Sequence, residues 1–357
     1  MSQKKWTKLF LLFSISCSLL VISINYIVDP FDIFNSGFLK RSGEVNIRFT
    51  KINYLEKNHH KYNSYLFGSS RIGTTHPKII EQYIPNSKFY NMTMASANLY
   101  DHLMHIRYMI KNKYKIKNIY LQIDISNMQS YGRDINDYNK KLHPHVTGDS
   151  KIKIYSQYLT RIFPEHIKKK ILNNIYSKKR DTIDLKNTGI FTKTKQEKEI
   201  IKDCKTYVKN EKSFHKKRLR QRGLVYADKT KQAIREIKKL CKKNKINLYV
   251  FTTPHNKNMM DTYIIEDYLK FLTLIAEEVN YYDFSGYNSV TINNCNYYEF
   301  SHYRPLVAKL IAARIFNDKS IDVPDDFGFY VTKENVNMHI KNIRKEIKKW
   351  ETQKLKK

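Results

Sequence analysis

Twenty consecutive residues without a charge, Leu9 to Val28, constrain this chain more than any other feature. The run is diluted only by Ser14, Ser16, Ser18, Ser23 and Asn25, and a helix of that length crosses a bilayer core. Lys4, Lys5 and Lys8 precede it without an acidic residue, so the positive-inside bias predicts a cytoplasmic N-terminus and an extracytoplasmic remainder. A cleaved signal peptide has a shorter apolar core that ends at small residues of the Ala-x-Ala kind. Leu9–Val28 has neither property, and an uncleaved anchor over residues 1–28 is expected. Cys17 after Ser16 is faintly similar to a lipoprotein cleavage site, but Ser14 stands where an aliphatic residue is wanted and the apolar run continues well beyond. Either processing leaves the domain tethered outside.

No later apolar run approaches spanning length. The remaining chain, 13% aromatic overall, is long enough to bury a substantial core as one large domain or a domain with an insertion. Cys204, Cys241 and Cys295 are odd in number and scattered, which predicts neither a disulfide framework nor a Cys-rich metal site, and leaves stability to packing. With 65 basic and 33 acidic residues the net charge is +32. Phosphate contacts dominate nucleic-acid affinity, so such a balance invites that reading. Lys, Asn, Ile and Tyr are enriched everywhere, however, and no nucleic-acid signature appears, so no nucleic-acid partner is expected. An anionic surface, either lipid headgroups or acidic envelope polymers, suits a tethered basic domain better.

Residues 29–60 read as a juxtamembrane connector that opens with Asp29-Pro30-Phe31 and turns basic and polar. From about residue 61 the pattern changes. Tyr65-Leu66-Phe67 predicts a strand ending in Gly68-Ser69-Ser70, and His76-Pro77 a helix start. A strand over Lys88–Met94, a helix over Leu99–Ile110 and a strand over Ile119–Ile125 follow. After a polar, Tyr-rich, basic interruption at about 128–228, Lys231–Cys241 reads as helix, Leu248–Phe251 as strand, Tyr263–Val279 as helix and Tyr281–Phe284 as strand. Strands alternating with helices predict an α/β fold with a parallel sheet covered on both faces. In the tail, residues 319–357, Val336, Ile340, Ile343, Ile347 and Trp350 predict an amphipathic basic helix. It is expected to pack on the domain or pair with a copy, with contact to anionic lipid as the alternative.

In a parallel α/β sheet ligands bind beyond the carboxyl ends of the strands. Two loops belong there, Gly68-Ser69-Ser70-Arg71-Ile72-Gly73-Thr74-Thr75 after the first strand and Glu299-Phe300-Ser301-His302-Tyr303-Arg304-Pro305 after the last. A serine hydroxyl needs a base to take its proton, and the base needs a carboxylate to fix its tautomer. Ser70, His302 and Glu299 supply all three parts.

These blocks resemble the SGNH (GDSL-type) hydrolase superfamily, in particular its membrane-anchored bacterial members. Gly68-Ser69-Ser70 is similar to the Gly-x-Ser block, residues 91–99 to the second block, and Glu299-x-x-His302 to the closing Asp-x-x-His block; the resemblance covers roughly residues 60–318. It implies a three-layer α/β/α, flavodoxin-like domain over 61–318, with Ser70 as nucleophile, His302 as general base and acid, and Glu299 orienting it. It also implies an acyl-serine esterase or O-acyltransferase that needs no cofactor or metal. The substrate would be an envelope polysaccharide or other surface polymer, the acyl group acetyl most often, and a transferase would need a partner protein to supply its acyl donor. The departures are a second block without glycine, Met94-Ala95-Ser96-Ala97-Asn98, a third strand ending Asp124-Ile125-Ser126-Asn127 in place of Gly-x-Asn-Asp, and Glu in place of Asp before the histidine. They leave the oxyanion donors open among the Ser70 amide, Ser96, Asn98 and Asn127.

Plainer readings stand beside these. Ser70 as a helix cap, His302 as a loop histidine and Arg71 as a salt-bridge partner compete with nucleophile, base and anion binder. His255 is expected to line the pocket. Gly68–Thr75 matches a phosphate-binding loop except for Thr74 in place of its lysine, which argues against an NTPase. The pair His102/His105 lies on a helix without a clear third ligand and His143/His145 sits in the insertion, so no metal is expected at either. The rival function is a catalytically silent relative that binds glycan or scaffolds an envelope assembly.

Overall fold

Five of the segments rich in aromatic and branched residues line up side by side as parallel strands in the computed structural model, which describes residues 2–40, 45–130, 137–176, 183–216 and 223–355. They are β1 (Ser64–Phe67), β2 (Phe89–Asn91), β3 (Asn118–Ile123), β4 (Asn247–Thr252) and β5 (Tyr281–Asp283). A sixth, β6 (Phe329–Val331), pairs antiparallel with β5 at the edge, giving the order β2-β1-β3-β4-β5-β6. The chain leaves β1 for β2 on one side and reaches β3 on the other, so the order reverses between β1 and β3. Leu66 sits across from Asn91 on one side and Tyr120 on the other, and Tyr120 across from Tyr249. Every residue of β1 and β3 is buried, as expected for inner strands of a sheet covered on both faces. Beyond the sheet, Leu66, Tyr120, Phe251 and Phe284 pack with Val307, Ala308 and Ile311 of the helix Pro305–Ile315, which carries its proline in the first turn.

The chain divides into two compact units. Lys57–Gly132 and Ile183–Lys357 form the sheet unit; Met1–Glu56 and Arg133–Thr182 form the other. This corrects two expectations. Residues 29–60 are not a bare connector: Phe31, Ile33 and Phe49 are core residues of their unit, covered by Tyr158 and Phe163 from the interruption. The interruption itself is not one insertion, because its first part joins the N-terminal unit and its second part the sheet unit.

The apolar helix runs from Gln3 to Val28, long and apolar enough to cross a membrane, and ends at Asp29 with left-handed φ of +44°. At the other end of the chain the helix Val336–Leu355 packs on the sheet unit rather than standing apart as a tail. Val336, Ile343 and Ile347 are buried, Trp350 stacks on Tyr287 at 5.2 Å, and Arg344 grips Glu266 with both terminal nitrogens.

Cys204 and Cys295 form a disulfide with Cα atoms 5.7 Å apart. The expectation that scattered cysteines imply no disulfide framework is corrected by this one bridge; Cys17 and Cys241 are free.

Candidate active site

The loop after β1 tightens at once into a 3-10 turn, Ser70–Thr74. Its cap is Ser69, whose side chain accepts from the Arg71 N–H, so the capping role weighed for Ser70 falls on its neighbour. The turn is held from below by Asn91, whose buried side-chain amide donates to the carbonyls of Ile72 (3.0 Å) and Thr75 (3.1 Å). Gly68 is required by close approach: a Cβ there would meet Ile72 Cγ2 at 2.7 Å and Gln122 Cβ at 2.9 Å. The loop after β2 is laced to the same turn, Met94 N donating to Gly68 O (3.2 Å) and Thr93 Oγ1 to Ser69 O (2.7 Å).

The second loop folds back on itself through the Tyr297–Tyr303 bridge and the Tyr298 N to His302 O bond (2.9 Å). Thr74 Oγ1 donates to Tyr303 O (3.2 Å) and Gln122 Nε2 to Tyr303 Oη (3.2 Å), which brings the two loops together. The result is a three-residue relay. His302 Nε2 lies 2.8 Å from Ser70 Oγ, and His302 Nδ1 bonds Glu299 Oε1. A carboxylate only accepts, so Nδ1 carries the ring proton and Nε2 is left to accept from the serine hydroxyl. Glu299 is itself oriented by the backbone N–H groups of Ser301 (3.1 Å) and His302 (2.8 Å). Burial would raise its pKa, but the bonds from His302 and from these amides prevail and hold it below the ordinary carboxylate value. The His302 and Glu299 side chains keep 24% and 21% exposure, and Ser70 is likewise half-buried, so the relay is open to solvent.

Beside it lies a second cluster that the sequence did not single out as a unit. Arg71 Nη1 is 2.5 Å from Asp124 Oδ2, at the carboxyl end of β3. The same oxygen receives Thr253 Oγ1 (3.1 Å) and His255 Nε2 (3.1 Å), while Ser126 binds the other through N and Oγ. Tyr263 Oη closes the chain on His255 Nδ1 at 3.3 Å. Burial opposes charge on Asp124, but Arg71 outweighs it and the carboxyl stays far below its usual range. His255 is fully buried, and burial lowers its pKa despite Asp124, keeping the ring neutral. The Arg71 Nε is buried and has no partner among the described residues.

This pair predicts acid sensitivity. As pH falls through 6.5, the ordinary histidine value, the unfolded chain takes a proton at residue 255 that the folded chain refuses, so stability falls with pH. One such site gives a slope of at most about 1.4 kcal/mol per pH unit. Asp124 acts in the same direction lower down: its depressed pKa stabilises above 3.8 and is lost below it. Melting curves between pH 7 and 5 are expected to flatten in His255→Gln relative to the native chain. An unchanged slope would refute this assignment.

The other expected binding residues are held differently. Asn98 caps the helix Leu99–Lys111 in a reciprocal box with Asp101. Asn127 bridges two loops, accepting from Asp124 N (3.0 Å) and donating to Ala97 O (3.1 Å). Ser96 is exposed with a left-handed φ of +51°. His102 packs edge-on to Phe67, and His105 Nδ1 bonds its own helix at Asp101 O (2.7 Å). In the N-terminal unit Glu56, His143 and His145 bring three possible metal-ligand atoms within 4.8 Å of one another. There His145 Nδ1 faces Glu56, and both His143 nitrogens are engaged, Nδ1 accepting from His145 N (3.2 Å) and Nε2 facing Asn53 Oδ1 (2.9 Å). Glu56 is thus a third ligand type beside the two histidines that the sequence alone does not place there, and in this arrangement the His143 nitrogens are spent on these bonds.

The second part of the interruption straps the His302 loop. Glu197 takes Arg304 in a two-bond fork, Tyr207 Oη donates to Tyr298 O (2.7 Å), Phe300 N bonds Ser213 Oγ (3.3 Å), and the disulfide joins Cys204 to Cys295. Comparison with protein-family models and with curated proteins gives no match for this chain.

Proposed function

We propose that this chain is a membrane-anchored serine esterase or O-acyltransferase of the SGNH type, acting outside the cytoplasm on an envelope polysaccharide or other surface polymer. The observation that carries the proposal is the relay from Ser70 Oγ through His302 to Glu299, with 2.8 Å at its reactive end. A hydroxyl aligned on a histidine whose far nitrogen meets a carboxylate is what acyl transfer requires.

The sheet supports the same reading. Its first five strands follow the flavodoxin-like order, and Ser70 follows β1 at the reversal of strand order, where such folds bind ligands. The helix Ala227–Lys243 packs with Leu99–Lys111 and Ile265–Ala276, while Pro305–Ile315 packs with Lys78–Glu81, as a three-layer domain with two helical faces would have it. The disulfide suits an oxidising compartment outside the cytoplasm.

In the reaction Ser70 Oγ attacks the acyl carbon as its proton passes to His302 Nε2, and the carbonyl electrons move onto oxygen. Collapse of that intermediate breaks the ester bond, and the departing alkoxide takes the proton from His302. Water or an acceptor hydroxyl then gives its proton to His302, attacks the acyl-serine and frees Ser70. Glu299 keeps Nδ1 protonated throughout and stabilises the charged ring. The helix cap uses only the side-chain oxygen of Asn98, and Asn127 gives one amide hydrogen to Ala97 O, so three further groups stand beside them as candidate oxyanion donors. The Ser70 amide opens the 3-10 turn and has no acceptor within it. Ser96 adopts the glycine-like backbone that the family's second block usually supplies. Arg71, fixed by Asp124 and with its side chain 13% exposed, is the third.

The test is labelling of the detergent-solubilised full chain with a fluorophosphonate. The probe is expected on Ser70, with hydrolysis of an acetyl ester alongside. If neither occurs, and Ser70→Ala leaves surface-glycan acylation unchanged by mass analysis, the proposal fails.

A further inference from the structure

Helices in water turn apolar side chains inward and charges outward. In the N-terminal unit the helix Pro164–Ile175 departs from this, since of its apolar residues Ile167 alone packs inward, against Phe31 and its neighbours. Lys170 and Asn173 are its buried residues, Lys170 Nζ donating to Asp32 Oδ1 (2.6 Å) and to the Asp29 carbonyl (2.7 Å). Ile171, Leu172 and Ile175 point out, and Ile162, just before the helix, does too; Ile162 and Ile175 are each 66% exposed. Lys168 shares the outward face, one turn from Ile171 and Leu172. The inversion has a local cause on the inner side, because the lysine is drawn in by Asp32. Nothing on the inner side accounts for the outward apolar stripe.

Its position does. Pro164–Ile175 and the preceding helix Lys151–Thr160 both pack on the end of the apolar helix Gln3–Val28. Asn25 and Val28 are buried there, Val21 and Ile22 partly so, and Asn25 Nδ2 donates to the carbonyls of Leu159 and Arg161, both at 2.8 Å. These residues are the last two turns of the uncharged run. Twenty helical residues from Leu9 to Val28 measure about 30 Å, the thickness of a bilayer core, so a span has no turns to spare. If the run crosses the membrane, its last two turns lie at the boundary of acyl chains and headgroups, and whatever packs on them lies there as well.

We infer that Ile162, Ile171, Leu172 and Ile175 form a monotopic face that enters the leaflet on the domain's side of the membrane, with Lys168 at the level of the lipid phosphates. Apolar side chains that reach the interface beside a basic residue are how helices bind in the plane of a membrane. Continuity with the anchor selects lipid as the occupant, since a protein partner would have to displace lipid from the side of the span. The face fixes the height and tilt of its own unit on the bilayer, so the anchor is seated rather than a flexible tether. This inference rests on the anchor and not on the chemistry at Ser70.

The test uses the full chain in lipid nanodiscs, in a Cys17→Ser background, with nitroxide labels on Ile162→Cys, Ile171→Cys, Ile175→Cys and, as a water-exposed control, Lys239→Cys. Oxygen, which concentrates in lipid, is expected to broaden the first three spectra while an aqueous nickel chelate does not; at residue 239 the chelate prevails. Chelate broadening at residues 162, 171 and 175 equal to that at 239 overturns the inference. So does dipolar broadening between copies at residue 171, which would assign the face to self-association.

Discussion

Ser70→Ala is expected to lower turnover of an activated acetyl ester by on the order of 10⁴–10⁶-fold while leaving the melting temperature nearly unchanged. The size follows from the relay. With the hydroxyl gone, His302 and Glu299 have no nucleophile to serve, and what remains is binding and oxyanion stabilisation. Because the three residues work as one unit, His302→Ala and the Ser70→Ala/His302→Ala double variant are expected to lose about as much as Ser70→Ala alone. Arg71 belongs to a separate part of the site and should grade differently. Arg71→Met combined with Asp124→Asn, which avoids stranding a buried carboxylate, is expected to lower kcat by about 10²–10³-fold with KM little changed, as loss of one oxyanion donor does. A rise in KM confined to anionic substrates would instead make Arg71 a substrate-binding residue. Steady-state kinetics on the full chain in detergent measure both. Independent, multiplying losses at Ser70 and His302 would mean that the 2.8 Å contact is not a catalytic one.

How much of this was legible in the sequence depended on whether the signal was local. The five parallel strands were, because each is a short run of aromatic and branched residues between turn residues, and both site loops followed from where such strands end. That Ser70, His302 and Glu299 would meet was legible because two short motifs carry them. β6 was not: Phe329-Tyr330-Val331 is too short to show a period, and it is a strand only because β5 lies beside it. Phe31, Ile33 and Phe49 sit in a basic, polar stretch and become core only when Tyr158 and Phe163 close over them from far downstream. Asp124 was visible as a residue, but its role comes from Arg71 and His255, which converge on it from two other loops. Asn98 and Asn127 carry the right functional groups for oxyanion donors; that their side-chain oxygens are spent on a helix cap and a loop bridge, and one Asn127 amide hydrogen on Ala97 O, is not revealed by residue type alone.

The disulfide was the largest omission and supplies the other large expected effect. Cys204 and Cys295 are 91 residues apart, and closing a loop of that size removes about 4–5 kcal/mol of unfolded-chain entropy at room temperature. The segment that carries Cys204 also carries Tyr207 and follows Glu197, whose bonds to Tyr298 and Arg304 bracket the Glu299–His302 turn. Cys204→Ser/Cys295→Ser is therefore expected to cost much of that energy and to lower the melting temperature by on the order of 10 °C. Near room temperature the remaining bonds should keep the turn in place, so kcat on the folded fraction should change little while activity is lost at a lower temperature. Thermal melts with and without a reductant give the check, the reduced native chain matching the double serine variant. A melting temperature indifferent to reductant would mean that the two cysteines are not bonded in the protein, and that the strap is held on the His302 loop by the Glu197–Arg304 fork and its neighbours alone.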